Sequence, residues 1–459
     1  VNLPAQGGSL LRRAAGSVRI ARAMLAARRF AAADGAAIRS VQERRIAGIV
    51  RHAFRTVPYY RDLARSLGCG PGDLRTAADL ARLPLIGRRQ LQDEPERFLS
   101  EACPEGMRLE IRSGGSSGAP RGVWHDAPSV LDDAGHGQRH WAILRRLAAN
   151  DRFRAMTIGS PRNSESDVRG FVRQHAIVPP SVSRSGSSCD MTASPEDVAR
   201  AVAAARPDVL LGYGSYLERV AQILDERHGR EASPKVFAYS GDGMSPSGRA
   251  RVVERLGASV WTSYQAVESL KIGYECACAA GLHVHADLCV VRVVDAEGRD
   301  VGPGGRGEVV ISNLVNRATV LLNYRLGDEV VVPATPCGCG TPLPLIGFPE
   351  GRVEDWFALP TGERVHTQRL RALFTDEREV WQYQLVQERP SSLRVALVVA
   401  EHADRPALAG RVGRAIAGVV GPGVALSIDF VRELERTPTG KVRTVVRRSD
   451  TAQPATPVA

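Results

Sequence analysis

Apolar positions in the first part of the chain recur every three or four residues. Leu10, Leu11, Val18, Ile20, Ala21, Met24 and Leu25 predict an amphipathic helix that docks on the body of the protein. Helical spacing continues to Val57-Pro58-Tyr59-Tyr60-Arg61, where proline breaks the run and starts a new helix ending near Gly68-Cys69-Gly70-Pro71. Further on, short apolar runs at 208–211, 236–239 and 259–262 are each followed by a Gly or Ser turn and another helical pattern, the alternation of an α/β fold. Between 288 and 332 the texture turns β-rich, with runs at 288–294, 308–311 and 329–332 predicting a second sheet. After Gly351-Arg352 come a strand, a helix, two strands and a helix, enough for a separate α+β lobe. The expected architecture is a large N-terminal multi-sheet α/β domain, 1–350, a small α+β C-terminal domain, 351–448, and a disordered tail, 449–459.

Composition narrows the function classes. With 459 residues, 43% of them hydrophobic, the chain can bury a large core. It has no run of the ~18 apolar residues that a spanning helix needs, so a cytoplasmic enzyme with no membrane partner is expected. The net charge of +11 comes from dispersed basic residues, not from runs interleaved with aromatics, which argues against nucleic acid and suits anionic small molecules. Before Asp34 there is no acid, superficially like a transit peptide, but the helical spacing favours the docking helix. Only Lys235, Lys271 and Lys441 are lysines, against 58 arginines. Such scarcity marks the survivors as candidates for sites needing a compact, flexible ammonium. Lys235 is assigned to chance, and Lys271 to a solvated surface charge ahead of a substrate-anion partner.

Ser113-Gly114-Gly115-Ser116-Ser117-Gly118-Ala119-Pro120-Arg121 has the composition of a phosphate cradle: glycines let backbone N–H groups approach, hydroxyls add donors, and arginine adds charge. Without a Gly-Lys-Ser/Thr ending it is not a Walker loop, and alone it could equally be a linker. Four further motifs follow in order: Ser240-Gly241-Asp242-Gly243, Tyr264-Gln265-Ala266-Val267-Glu268, Tyr324-Arg325-Leu326-Gly327-Asp328 with Gly351-Arg352-Val353-Glu354-Asp355, and Arg436-Thr437-Pro438-Thr439-Gly440-Lys441. Taken one at a time, Glu268 reads as an ordinary exposed carboxylate and Lys441 as a solvated lysine.

In this order the motifs resemble the adenylate-forming superfamily of acyl-CoA synthetases, adenylation domains and luciferases, and within it the phenylacetate-CoA ligases. The likeness runs from about Val57 to Lys441. It implies ATP binding by Ser113, Gly114, Gly115, Ser116, Ser117, Gly118 and Arg121, and an adenine-contacting turn at Ser240, Gly241 and Asp242. Tyr264 would stack on adenine with Gln265 beside it, Asp328 would hold the ribose hydroxyls, Arg352 would contact ribose or phosphate, and Glu268 would help hold Mg2+. Glu354 takes the place of the hinge about which a mobile C-terminal lobe turns, and Lys441 that of the catalytic lysine. Departures occur at Val267, where a hydroxyl is usual, Gln265 for glycine, and Asp242 for glutamate.

The resemblance therefore implies an ATP-dependent ligase that activates a small acid, of aryl class, as an acyl-AMP and passes it to coenzyme A. The alternatives are a carrier-protein thiol or an amine as acceptor, or a catalytically degraded homologue with a binding role. Tyr213 and Tyr239, at strand ends, are the candidate acid-pocket residues, and a homodimer is left open. Four of the eight cysteines fall in the pairs Cys276/Cys278 and Cys337/Cys339, near His283 and His285, as a cytosolic zinc site would require. The branch resembled carries ligands at the positions of Cys276, His283, Cys337 and Cys339, with Cys278 as a substitute; the other reading is free buried cysteines.

Overall fold

The computed structural model describes residues 10–112, 122–159, 164–178, 186–353, 356–374, 377, 379–436 and 442–448. Ser113 to Arg121, Glu354, Asp355 and the 437–441 segment with Lys441 lie outside the described residues, as does the 449–459 tail.

The chain opens with helices α1 (Leu10–Ala31), α2 (Gly35–Thr56), α3 (Pro58–Leu67), α4 (Ala77–Leu80) and α5 (Arg88–Asp93). Asp34 caps α2 through its carboxylate, and Pro58 occupies the first turn of α3, whose end is closed by Gly68 at φ 59, a left-handed position that glycine adopts without strain. Strands β1 (Arg108–Arg112) and β2 (Gly122–Asp126) pair antiparallel, with Arg112 opposite Gly122, and lead into α6 (Ala127–Ala148).

An alternating region follows: β3 (Ala155–Gly159), α7 (Ser164–His175), β4 (Ser187–Asp190), α8 (Pro195–Ala205), β5 (Val209–Gly212), α9 (Gly214–Arg227), β6 (Val236–Tyr239), α10 (Pro246–Leu256), β7 (Ser259–Ala266), β8 (Leu270–Glu275) and β9 (Leu282–Val284). The second sheet is built from β10 (Cys289–Val294), β11 (Arg306–Asn313), β12 (Tyr324–Val331) and, after β13 (Leu345–Ile346), from β14 (Gly351–Arg352). Beyond them lie β15 (Trp356–Ala358), β16 (Arg364–His366), α11 (Thr367–Arg371), β17 (Val380–Arg389), β18 (Ser392–Val399), α12 (Arg405–Val420), β19 (Ala425–Phe430) and β20 (Val445–Arg447). The C-terminal part thus contains an extra hairpin, β15–β16, and closing strands beyond the five elements read from the pattern.

The eight-stranded sheet runs β13-β9-β8-β7-β6-β5-β3-β4. Its strands from β4 through β7 are parallel, while β7, β8, β9 and β13 are antiparallel neighbours. Parallel strands buried on both faces need continuous apolar runs, and Val236–Tyr239 is buried at every position. Contacts to the C-terminal part come from α9 and α10: Gln382 Nε2 donates to the Ser215 carbonyl at 2.5 Å, and the Arg251 guanidinium lies 4.3 Å from the Trp381 ring centroid.

Helix α1 docks on the body, but by a different face from the predicted one. Its buried positions are Gly16, Ala23, Ala27 and Phe30, whereas Leu10, Leu11, Val18 and Leu25 are exposed. The cause is close packing on α6: a Cβ at Gly135 would come within 2.5 Å of Ala23 Cβ and 2.9 Å of the Ile20 carbonyl. At that separation only small side chains fit between the helices.

Candidate active site and zinc cluster

Parallel strands open toward ligands at their carboxyl ends, and five of the candidate site residues sit there. Tyr213 follows β5 and begins α9, Tyr239 ends β6, and Ser240-Gly241-Asp242 forms the turn after it, with Gly241 at φ 84. Asp242 accepts the Ser215 hydroxyl at 2.5 Å and the Ser215 backbone N–H at 3.3 Å, which fixes this turn on the start of α9. Arg249 donates to the Tyr239 hydroxyl at 3.1 Å and pairs with Glu275 at 2.5 Å. Burial pushes the phenols of both Tyr213 and Tyr239 above their ordinary range.

Tyr264 lies on β7, and its hydroxyl donates to Asp328 Oδ2 at 2.6 Å. Burial first, and then the negative charge of Asp328, hold that phenol well above its usual range, so it remains a donor at neutral pH. Asp328 is opposite Arg352 in the β12–β14 pairing, and Arg352 Nε lies 3.6 Å from Asp328 Oδ1. The β12–β14 pairing and the Tyr264 hydroxyl, reaching across from the other sheet, thus join three motif residues that are far apart in sequence.

Glu268 occupies the turn between β7 and β8. It is only 6% exposed, not the surface carboxylate that its sequence surroundings suggest, and the Tyr324 hydroxyl donates to its Oε1 at 3.4 Å. Beside it, His125 of β2 is hydrogen-bonded through Nε2 to the Val267 carbonyl at 2.7 Å. That contact ties the strand leaving the 113–121 segment to the turn bearing Glu268. Gln265 is exposed, and its amide donates to the Ser263 hydroxyl at 3.0 Å.

Lys271 is not a solvated charge: its ammonium pairs with Asp133 of α6, with side-chain exposures of 12% and 11%. Lys235 pairs with Asp208 at 3.2 Å and remains exposed.

Cys276, His283, Cys337 and Cys339 offer ligand atoms that all lie within 4.8 Å of one another. Cys276 and Cys337 are 3.4 Å apart through sulfur, and Cys339 Sγ is 3.3 Å from His283 Nε2. The β9–β13 pairing, with Leu345 opposite His283, brings the second cysteine pair to the first. Three sulfurs and one imidazole nitrogen at these separations fit a tetrahedral Zn2+ with Zn–S near ~2.3 Å. Cys278 is exposed and lies outside the group of four.

Behind this cluster is a buried polar network that sequence reasoning missed. Arg139 of α6 makes a two-pronged bond to Asp287, at 2.8 and 2.7 Å, and also donates to His285 Nδ1 at 2.9 Å. His136 Nε2 is 2.9 Å from Asp287, and His140 contacts His285 at 3.2 Å. Burial alone would raise the Asp287 carboxyl, but the His136 hydrogen bond and the Arg139 charge hold it well below the usual range. Burial lowers His140 and His285 well below theirs. The available signal was His136, Arg139 and His140 at spacings of three and four, a polar stripe on one helix face.

The chain is 25% identical to a phenylacetate-coenzyme A ligase of Thermus thermophilus over 371 residues, 78% of this chain and 79% of that one. It superposes on a 2-hydroxyisobutyryl-CoA ligase, in the postadenylation state in complex with R3-HIB-AMP, with a TM-score of 0.69 over 92% of each chain at 16% identity. The chain is therefore similar in sequence to phenylacetate-coenzyme A ligases and has the fold of an adenylate-forming ligase. A second relative, the Escherichia coli phenylacetate-coenzyme A ligase, is 23% identical over 313 residues, 63% of this chain and 66% of its own. Residues 357–448 match the CapK C-terminal domain, a stretch that holds the four-stranded sheet β19-β18-β17-β20.

Proposed function

We propose that the chain is an AMP-forming acid–thiol ligase that converts a small carboxylic acid, of aryl class, into its acyl-adenylate and then its coenzyme A thioester. The observation that carries this reading is the convergence of Tyr264, Asp328 and Arg352 on one cluster, joined by a hydrogen bond and an ion pair, with Glu268 just beyond the strand that carries Tyr264. A carboxylate with two acceptor oxygens suits two ribose hydroxyls, and a buried phenol beside it presents a ring face for adenine. The Ser113–Arg121 loop is assigned to the phosphates. In the first step the acid's carboxylate oxygen bonds to the α-phosphorus while the bond to the bridging oxygen breaks, and pyrophosphate leaves. In the second the thiol sulfur attacks the acyl carbon, AMP departs, and the thiol proton passes to solvent.

Lys441 is assigned to the negative charge that develops at the α-phosphate, where a flexible ammonium is most effective. Glu268 is assigned to Mg2+, which would neutralise phosphate charge when bound. The C-terminal lobe is proposed to turn about Glu354 between the two steps, so that one site serves both. Zn2+, held by Cys276, His283, Cys337 and Cys339, is assigned a structural role, because four protein ligands leave no open position.

The test is pyrophosphate exchange across a panel of aryl and aliphatic acids, followed by coenzyme A, a phosphopantetheinylated carrier and free amines as acceptors. Lys441→Ala is expected to abolish adenylate formation while sparing thioester formation from supplied acyl-AMP. Equal loss of both steps would overturn the lysine's assignment, and no exchange with any acid would overturn the ligase reading.

A further inference from the structure

Helix α1 buries its small residues against α6 and turns its large ones outward. Leu10, Leu11, Val18 and Leu25 are 73%, 82%, 50% and 54% exposed, half of the eight large apolar side chains exposed among the described residues. Leu11, Val18 and Leu25 are seven apart and form one stripe along the helix, about 20 Å long from end to end. Leu10 stands roughly 100° round the helix from Leu11, which widens the stripe. A fifth exposed side chain joins from outside the helix: Ile177 is held against Ser17, whose hydroxyl donates to the Ile177 carbonyl and accepts its N–H, both at 2.9 Å.

The charge on this helix has one sign. The first 33 residues hold six arginines and no acid. Of the six, Arg19 is paired with Asp132 at 2.7 Å, while Arg22, Arg28 and Arg29 are exposed beside Leu25. Docking two copies stripe to stripe would set arginine against arginine with no acid on the helix to offset it. A single acidic helix from another protein would cover a narrow seam, whereas the combined width of Leu10, Leu11 and Ile177 suits a flat surface. An apolar strip flanked by arginines is the pattern of helices that lie in the boundary between headgroups and acyl chains, and each arginine near an anionic leaflet adds to the attraction.

We propose that the outward face of α1 is a docking surface for an anionic lipid bilayer, with Leu11, Val18 and Leu25 at the acyl boundary and the arginines on lipid phosphates. The chain would then be a peripheral membrane protein. Among the described residues no helix is long and apolar enough to cross a membrane. The sequence-based expectation of no membrane partner rests on the same missing span, which has no bearing on a helix that lies along the surface.

The experiment is co-sedimentation of the full chain with vesicles of phosphatidylcholine alone and of phosphatidylcholine with about one part in three phosphatidylglycerol, at low and high salt. Binding is expected only to the anionic vesicles, falling with salt. The triple variant Leu11→Gln/Val18→Gln/Leu25→Gln, at exposed positions that leave the fold intact, is expected to reduce partitioning about tenfold or more, and Arg22→Gln/Arg28→Gln/Arg29→Gln to do likewise. Equal binding to neutral vesicles, or full binding by the apolar triple variant, overturns the proposal. So does light scattering that finds a dimer abolished by that variant, since the face would then belong to a second copy, or a failure to sediment with either vesicle.

Discussion

Removing one carboxylate, Asp287→Ala, tests the buried network most sharply. Asp287 is 1% exposed, and its main partner Arg139 is 6% exposed. The substitution deletes both prongs of the Arg139 pair and the acceptor for His136, leaving a guanidinium charge inside the protein. Breaking one side of a buried pair typically costs about 3–5 kcal/mol, a large part of a total of roughly 5–15 kcal/mol. At ~2 °C per kcal/mol for a domain of this size, the melting temperature should fall by about 6–10 °C. Differential scanning calorimetry measures this, and amide exchange should show added opening across α6. The carboxyl sits below its unfolded value, so its contribution is full above about pH 5 and is lost as the pH falls through the folded value. The gap between wild type and Asp287→Asn should therefore narrow in acid. A loss under 1 kcal/mol, or a gap that widens on acidification, would refute the claim that this carboxylate holds Arg139 in place.

Asp328→Ala should lower kcat/KM for ATP by about 10- to 100-fold, because a charge-assisted pair of hydrogen bonds at roughly 1.5–3 kcal/mol is lost, while Tyr264→Phe should cost less; initial rates at varied ATP check both. Cys337→Ala should drop bound zinc from one equivalent to well under half by metal analysis of carefully purified protein and should lower the melting temperature; wild-type protein that itself holds under half an equivalent would sink the zinc assignment. Glu218, buried behind α10, accepts the Ser245 hydroxyl at 2.6 Å, and burial raises its carboxyl to about 7. Between its ordinary value and 7 the folded state therefore holds a proton that the unfolded state releases, so stability falls as the pH rises from about 4.5 to 7 and levels off above. Glu218→Gln should flatten that slope and gain on the order of 2–4 kcal/mol at pH 8 relative to wild type, as read from denaturant midpoints at pH 5 and 8.

Much of the architecture was legible because its signals are local. Proline at 58, the left-handed Gly68, the apolar run of β6 and the glycine-bounded strands of the second sheet each report backbone geometry that a few neighbouring residues determine. The motif order carried the superfamily resemblance for a related reason: each motif is a short stretch whose residue types the chemistry restricts. The four zinc-ligand candidates were also readable in advance, since two cysteine pairs and a nearby histidine are rare at such spacing.

What the sequence alone left undecided depends on which surfaces meet. Periodicity showed that α1 is a helix but pointed to its large residues as the buried face. The face that packs was set by the short distance to α6 across Gly135, which admits alanine and glycine and turns leucine outward. Lys271 and Glu268 read as surface charges until partners 138 and 56 residues away in sequence, Asp133 and Tyr324, closed over them. Ionisable groups become interior only when distant chain supplies their hydrogen bonds, and that supply is a property of the folded molecule, not of any window along the sequence.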